Sequence, residues 1–181
     1  RTCDNGKDSF YQHLCCIRVY ENVRTDTAGN LLSKVECEDR LLTWRLTPAN
    51  DGASHQSIED MGIMRTLPNM TVIMGADYYA TRDLIRKAAE YEGPVYLRFT
   101  RDAIPFVYDE TIELEIGKAH QMQEGKDIAI IANGDTVCIA KEAAEILETK
   151  GIHVRLLDMH TIKPLDKEAV EKCVKEIGKM I

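Results

Sequence analysis

No apolar run in the 181-residue chain approaches the roughly 20 residues a membrane-spanning helix needs, so no such helix is expected within it. No lysine and arginine cluster appears either, and the net charge is −7 with a pI near 5.3. Binding to phosphate backbones calls for a basic stripe, so nucleic acid is excluded as a partner. None of the six cysteines forms a C-x-x-C pair or stands beside a histidine at zinc-finger spacing, which argues against a metal site. A disulfide scaffold is disfavoured too, because the later residues can build a core without staples. No signal peptide is read at the N-terminus, which begins with Arg1, and the chain is expected to be a piece of a longer one. What is present is an ordinary globular balance of 44% hydrophobic and 29% charged residues.

From Ser57 onward the pattern is regular. Ile58, Met61, Ile63, Met64 and Leu67 form a helical stripe that stops at Pro68, and Met70 to Met74 reads as a short buried strand. A second helix is predicted from about Tyr79 to Glu92, with Leu84, Ile85, Ala88 and Ala89 on its inner face and Gly93-Pro94 as its stop. Val95 to Phe99 is the next strand. Strands alternating with helices of this length predict βαβ units and a parallel sheet.

The alternation pauses between Asp102 and Lys126 and then resumes. Asp127 to Ala132 reads as a strand, Cys138 to Lys150 as an amphipathic helix ended by Gly151, and His153 to Met159 as a strand. Asp166 to Gly178 follows as a helix with Asp166 as its N-cap, and the final Lys-Met-Ile opens a further strand. A domain boundary is placed near residue 112. Residues 47–112 then form the second half of one α/β domain, and residues 113–181 a second α/β domain that reads as truncated, its sheet edges unpaired.

Residues 1–46 fit none of this, although "LCCIRVY" is too apolar for a typical disordered tail. At their end stands a polar loop, "DGASHQ" at 51–56, running directly into the first helical stripe. The stretch "DGASHQSIEDMGIMRTLPNMTVI" resembles the pyrimidine-binding domain of the transketolase family, and is most similar to split transketolases whose C-terminal half is a separate subunit. The resemblance continues through "GADYYATRDLIRKAAEYEGPVYLRFTR". It extends into the start of the family's C-terminal domain in "IAIIANGDTVCIAKEAAEILETKGIHVRLLDMHTIKPLD". It covers about residues 47 to 181.

Residues 1 to about 46 should then belong to the same domain, and a frame shift explains why they do not look like it. Codons permitted for "YQHLCCIRV", read one nucleotide later, give "INTFAVFAS", and the same offset from Leu31 gives "CYPRSNVKIAYSHGG". Both products look like the family at this place. The correct frame is expected to resume near Leu46 or Thr47, so Cys15, Cys16 and Trp44 need no function.

The resemblance implies thiamine-diphosphate-dependent transfer of a two-carbon ketol unit from a ketose phosphate to an aldose phosphate, in a cytoplasmic enzyme of pentose phosphate metabolism. By motif match, Asp51 accepts a hydrogen bond from a substrate hydroxyl, and His55, with Gln56, contacts the sugar or the cofactor. An imidazole with an ordinary pKa near 6.5 suits such a site. Arg101 lies just past the carboxyl end of a strand, where open α/β sheets bind ligands, and matches the family's phosphate-binding arginine. Arg98, by strand alternation, is expected in a surface ion pair. Asn133-Gly134-Asp135 is read as a turn and assigned no metal. His120, His153 and His160 are expected to be structural or exposed.

The family's catalytic glutamate corresponds to a position upstream of residue 1, so no catalytic residue is assigned here. Magnesium and the cofactor's diphosphate fall to a separate diphosphate-binding domain. The expected partner is therefore an N-terminal transketolase subunit, in a dimer or heterotetramer, with the isolated chain not active. A 1-deoxy-xylulose-5-phosphate synthase and a catalytically silent assembly subunit are the competing readings.

Overall fold

The computed structural model describes residues 59–99 and 104–181, together with the backbone of residues 16–18. The frame-shift reading of residues 1–46 thus falls outside the described residues except at that short backbone segment. In chain order the described elements are β1 (Cys16–Arg18), α1 (Asp60–Thr66), β2 (Thr71–Met74), α2 (Tyr78–Glu90) and β3 (Val95–Arg98). They continue with β4 (His120–Gln123), β5 (Ile128–Ala132), α3 (Thr136–Thr149), β6 (Val154–Asp158), β7 (Thr161–Lys163) and α4 (Lys167–Glu176).

Two mixed sheets result. The first has the order β1-β3-β2-β7, and the second β4-β6-β5. The predicted βαβ units supply the parallel pairs: Thr71 to Met74 of β2 lie in register with Val95 to Arg98 of β3, and Ile128 to Ala132 of β5 with Val154 to Asp158 of β6. The flanking strands β1, β7 and β4 pair antiparallel, so the sheets are not parallel throughout. β4 and β7 went unread because they are only four and three residues long and mostly polar, which leaves almost no period to detect. β7 pairs with β2, so a strand from the C-terminal segment joins the first sheet. The closing Lys-Met-Ile does reach β5, through a parallel bridge from Met180 to Ala129.

Helix α2 shows how packing refines the predicted face. Its buried residues are Ala80, Leu84 and Ala88, spaced by four. They meet Ile73, Val95, Leu97 and Leu114 in the largest apolar cluster. Ile85, expected inside, stands 45% exposed, because it lies one position, about 100°, round from Leu84. In α1, Met61 and Met64 pack against Met70, Val72 and Tyr96, while Ile63 and Leu67 of the predicted stripe stay exposed. In α3 the inner face is Val137, Ala140 and Ala144, small enough to let the helix lie close on β5 and β6. Asp166 caps α4 as expected, its carboxylate accepting from the Ala169 amide at 3.0 Å.

Gly125, between β4 and β5, lies against backbone. A β-carbon there would overlap the Val154 carbonyl carbon and the Arg155 amide nitrogen, neither of which can swing aside. Gly125→Ala is therefore expected to lower unfolding stability by about 1–3 kcal/mol, the usual range for overpacking, with retained fold. Urea denaturation with an unchanged midpoint would show that this close approach does not constrain the fold.

Candidate functional site at the carboxyl edge of the first sheet

The loop residues Asp51, His55 and Gln56, and Arg101 beyond β3, all lie outside the described residues. Their flanking elements are described, and these meet. The loop runs into α1, whose first residue is Asp60; the Arg101 segment leaves β3, whose last residue is Arg98. Asp60 Oδ2 accepts from Arg98 Nη1 and from the Tyr96 hydroxyl, the latter at 2.5 Å. Arg98 pairs in register with Met74, the last residue of β2, so this contact sits at the carboxyl ends of two parallel strands. The start of α1 and the end of β3 are tied together where open α/β sheets take their ligands.

Arg98 corrects the sequence reading. It is 2% exposed, not a surface ion pair, because β3 lies between β1 and β2 and α1 brings a carboxylate over its end. Buried guanidinium is tolerated when charge-paired and hydrogen-bonded.

A second carboxylate organises the neighbouring turn. After β2, Gly75-Ala76 leads to Asp77, which caps α2 by accepting from the Ala80 amide at 2.9 Å. Its other oxygen accepts from the amides of Val107 and Tyr108, both at 2.8 Å. Tyr108 in turn donates its hydroxyl to Asp158 Oδ2 at 2.9 Å. Sequence reasoning missed this relay; its one visible signal was an aspartate inside the apolar run of β6. Asp158 is fully buried, and its Oδ1 has no partner among the described residues. Burial pushes its carboxyl up to about 7, with the nearby Asp77 charge adding to the rise. Burial, then the Asp158 charge, raises the Tyr108 hydroxyl as well.

His160 is fully buried, its Nδ1 3.0 Å from the Thr161 hydroxyl, and burial together with His120 pushes its pKa down to about 4. His120 is half-buried, edge-on to the Tyr108 ring, and depressed by desolvation. His153 is exposed beside Glu148. A cleft of about 230 Å³ opens among Tyr108, His120, Met122 and Lys141.

The Asn133-Gly134-Asp135 segment is a turn. Gly134 has φ +58°, its carbonyl accepts from the Val137 amide, and the Asn133 side chain donates to the Met159 carbonyl at 2.8 Å. Among the described residues no group of three His, Cys, Asp or Glu side chains could hold a metal ion.

These elements define an α/β protein with its candidate ligand edge at the carboxyl ends of β2 and β3. The family model for the transketolase pyrimidine-binding domain matches residues 33–106, and that for the transketolase C-terminal domain matches residues 117–181. A Methanocaldococcus jannaschii protein named as a transketolase C-terminal section is 46% identical over 129 residues, 70% of this chain and 41% of that protein. One subunit of the apulose-4-phosphate transketolase of Phocaeicola vulgatus is 42% identical over 131 residues, 72% of this chain and 42% of its own length. A solved split-gene transketolase, described as an inactive tetramer of beta chains, is 44% identical with a TM-score of 0.68, covering 70% of this chain and 42% of that one. 1-Deoxy-D-xylulose-5-phosphate synthases also match, that of Heliobacterium modesticaldum at 33% identity over 73% of this chain and 21% of its own length. The chain belongs to the transketolase family, with the pyrimidine-binding and C-terminal domains in family order. It spans about two-fifths of the length of the C-terminal relatives it matches.

Arg98→Ala leaves the Asp60 carboxylate without its guanidinium partner and is expected to destabilise the fold by about 3–5 kcal/mol, as loss of one member of a buried pair does. Denaturation midpoints within error of the parent would show that the pair does not hold α1 to β3. For Asp158, the folded pKa is raised above the unfolded one, so the native state binds more protons between about pH 4 and about pH 7, and stability contributed there is lost as pH rises through that window. Asp158→Asn should accordingly gain stability relative to the parent as pH rises from 5 to 8. A constant difference across that range would contradict the burial of the charge.

Proposed function

We propose that this chain forms the pyrimidine-binding side of a two-chain transketolase, which transfers a two-carbon ketol unit from a ketose phosphate to an aldose phosphate. The observation that carries the reading is the Asp60 anchor, which joins the element following the 51–56 loop to the strand preceding Arg101 at one edge of the sheet. Matching the family's order over both domains, that edge takes the sugar phosphate.

In this reading Asp51 accepts a hydrogen bond from a substrate hydroxyl near the reacting carbon. His55 contacts the sugar there or the cofactor, with Gln56 toward the cofactor. Arg101 holds the acceptor phosphate by a charge-assisted, two-pronged contact. Thiamine diphosphate, when bound, supplies the electron sink for cleaving the donor's carbon–carbon bond. Its diphosphate and magnesium fall to an N-terminal partner subunit, so catalysis requires the assembly. The isolated chain is read as self-associating, in line with the tetramer described for the solved split-gene relative. Residues 1–46 are read as frame-shifted; the first 32 lie outside both family models, while residues 33–46 lie inside the pyrimidine-binding one, which counts against a shift that extends to residue 46.

The synthase reading is supported by relatives of lower identity, and assaying a ketose phosphate as donor separates the two. Arg101→Ala, in the chain assembled with its partner, is expected to raise KM for a phosphorylated acceptor roughly tenfold to a hundredfold, the value of a charged hydrogen bond of about 1.5–3 kcal/mol. kcat should change little, since the phosphate is remote from the bond being made. Kinetics with ribose 5-phosphate and with free ribose check this. An equal loss on both acceptors would take Arg101 out of the phosphate site.

A further inference from the structure

Helix α1 has little of its own to hold it in place. It is seven residues long, none of its residues is buried, and a helix of that length does not persist on propensity alone. Met61 and Met64 rest on Met70, Val72 and Tyr96, with Ile162 of β7 beside them, and Asp60 ties the first turn to β3. The last turn needs a partner as well, because the final carbonyls of a helix find none within it.

That partner comes from the far end of the chain. Lys163, in β7, donates from its ammonium to the Arg65 carbonyl at 2.9 Å and to the Leu67 carbonyl at 2.6 Å, across 98 and 96 residues of sequence. Leu67 is the C-cap, so the ammonium stands at the negative end of the helix dipole, where a cation is favoured. The two carbonyls before these are served locally, Ile63 by the Thr66 hydroxyl and Met64 by the Leu67 amide. Lys163 lies opposite Val72 of β2 in the strand pairing, which fixes where its side chain can reach, and it belongs to the segment matched to the C-terminal domain. α1 is therefore held at its start through Asp60 on β3 and at its end through Lys163 on β7, two strands of one sheet.

We propose that Lys163 is a positioning residue for the ketol transfer, through which the C-terminal domain seats α1 in the arrangement that takes substrate. The inference rests on the reading of this sheet edge as the substrate site. Residues 57–59 alone separate the 51–56 loop from α1, so freedom of the helix becomes freedom at the loop's point of attachment. Lys163 touches no reacting atom in this role. Without its ammonium, α1 samples other placements, and substrate binds only the fraction of molecules in which the helix is seated. Such a loss weakens apparent affinity and leaves the saturated rate alone.

Lys163→Met keeps most of the side chain and removes the charge, and Lys163→Arg keeps a cationic donor. In the full chain, hydrogen exchange at the Ile63 and Leu67 amides is expected to quicken roughly threefold to tenfold in Lys163→Met, the span of a charged contact at a helix end. The amides of Ile130 and Leu156 should exchange as in the parent, and Lys163→Arg should return α1 toward it. In the chain assembled with its N-terminal partner, KM for the ketose phosphate and the aldose phosphate should rise by a similar factor in Lys163→Met, with kcat little changed and KM recovered in Lys163→Arg. A merely structural contact would lower the active fraction, and so kcat, without moving KM. Exchange in α1 equal to the parent's overturns the proposal, as does faster exchange with an unchanged KM, and in both cases an active parent leaves the functional reading intact. An assembled parent that transfers no ketol unit overturns that reading and the role of Lys163 with it.

Discussion

The pairing of buried Arg98 with partly buried Asp60 is the contact that ties the start of α1 to the end of β3. A guanidinium at the end of a strand flanked on both sides cannot stay inside without compensating charge, and α1 begins with the carboxylate that provides it. The requirement is mutual. α1 is only seven residues long, too short to hold its place by helix propensity, and none of its residues is fully buried. Its two methionines and its first residue dock it on the sheet, and the Tyr96 hydroxyl gives that carboxylate a second donor.

The second organising feature runs along the segment after β3. Asp77 gathers the start of α2 and the amides of Val107 and Tyr108, and Tyr108 passes the connection to Asp158 in β6. Apolar contacts follow the same route: Tyr108 packs against both the cluster of Leu84, Val95 and Leu97 and the cluster of Val137, Ala140 and Leu156. With β7 hydrogen-bonded to β2, the two matched domains share a sheet, a hydrogen-bond relay and a continuous apolar boundary. A carboxyl pushed up to about 7 by burial is the electrostatic cost of placing Asp158 at that boundary, where hydrogen bonding to one hydroxyl replaces full hydration.

Family membership and the proposed activity rest on different grounds. The domain order and the similarity to split transketolase subunits place the chain in the family. Its expected chemistry needs groups from a second polypeptide, which is the logic of a cofactor spanning two domains.

Most of the element order was readable from residues alone, because helices of ten or more residues and apolar strands carry a period: α2, α3, α4, β2, β3, β5 and β6 all stand within a few residues of their predicted bounds. The Asp166 cap and the Asn133-Gly134 turn were legible for the same local reason, since their chemistry is satisfied within three residues. The candidate site residues Asp51, His55, Gln56 and Arg101 were legible only as a motif, and what the structure adds is the junction of the elements beside them. Arg98, Asp158 and His160 could not be placed from sequence. Whether such a polar side chain is inside depends on what covers its strand and, for Arg98 and Asp158, on partners 38 and 50 residues away. Local period and turn chemistry act over a few residues and are written in the chain. Burial, charge pairing and the antiparallel edges β4 and β7 arise only when distant segments meet, so the tertiary structure decided them.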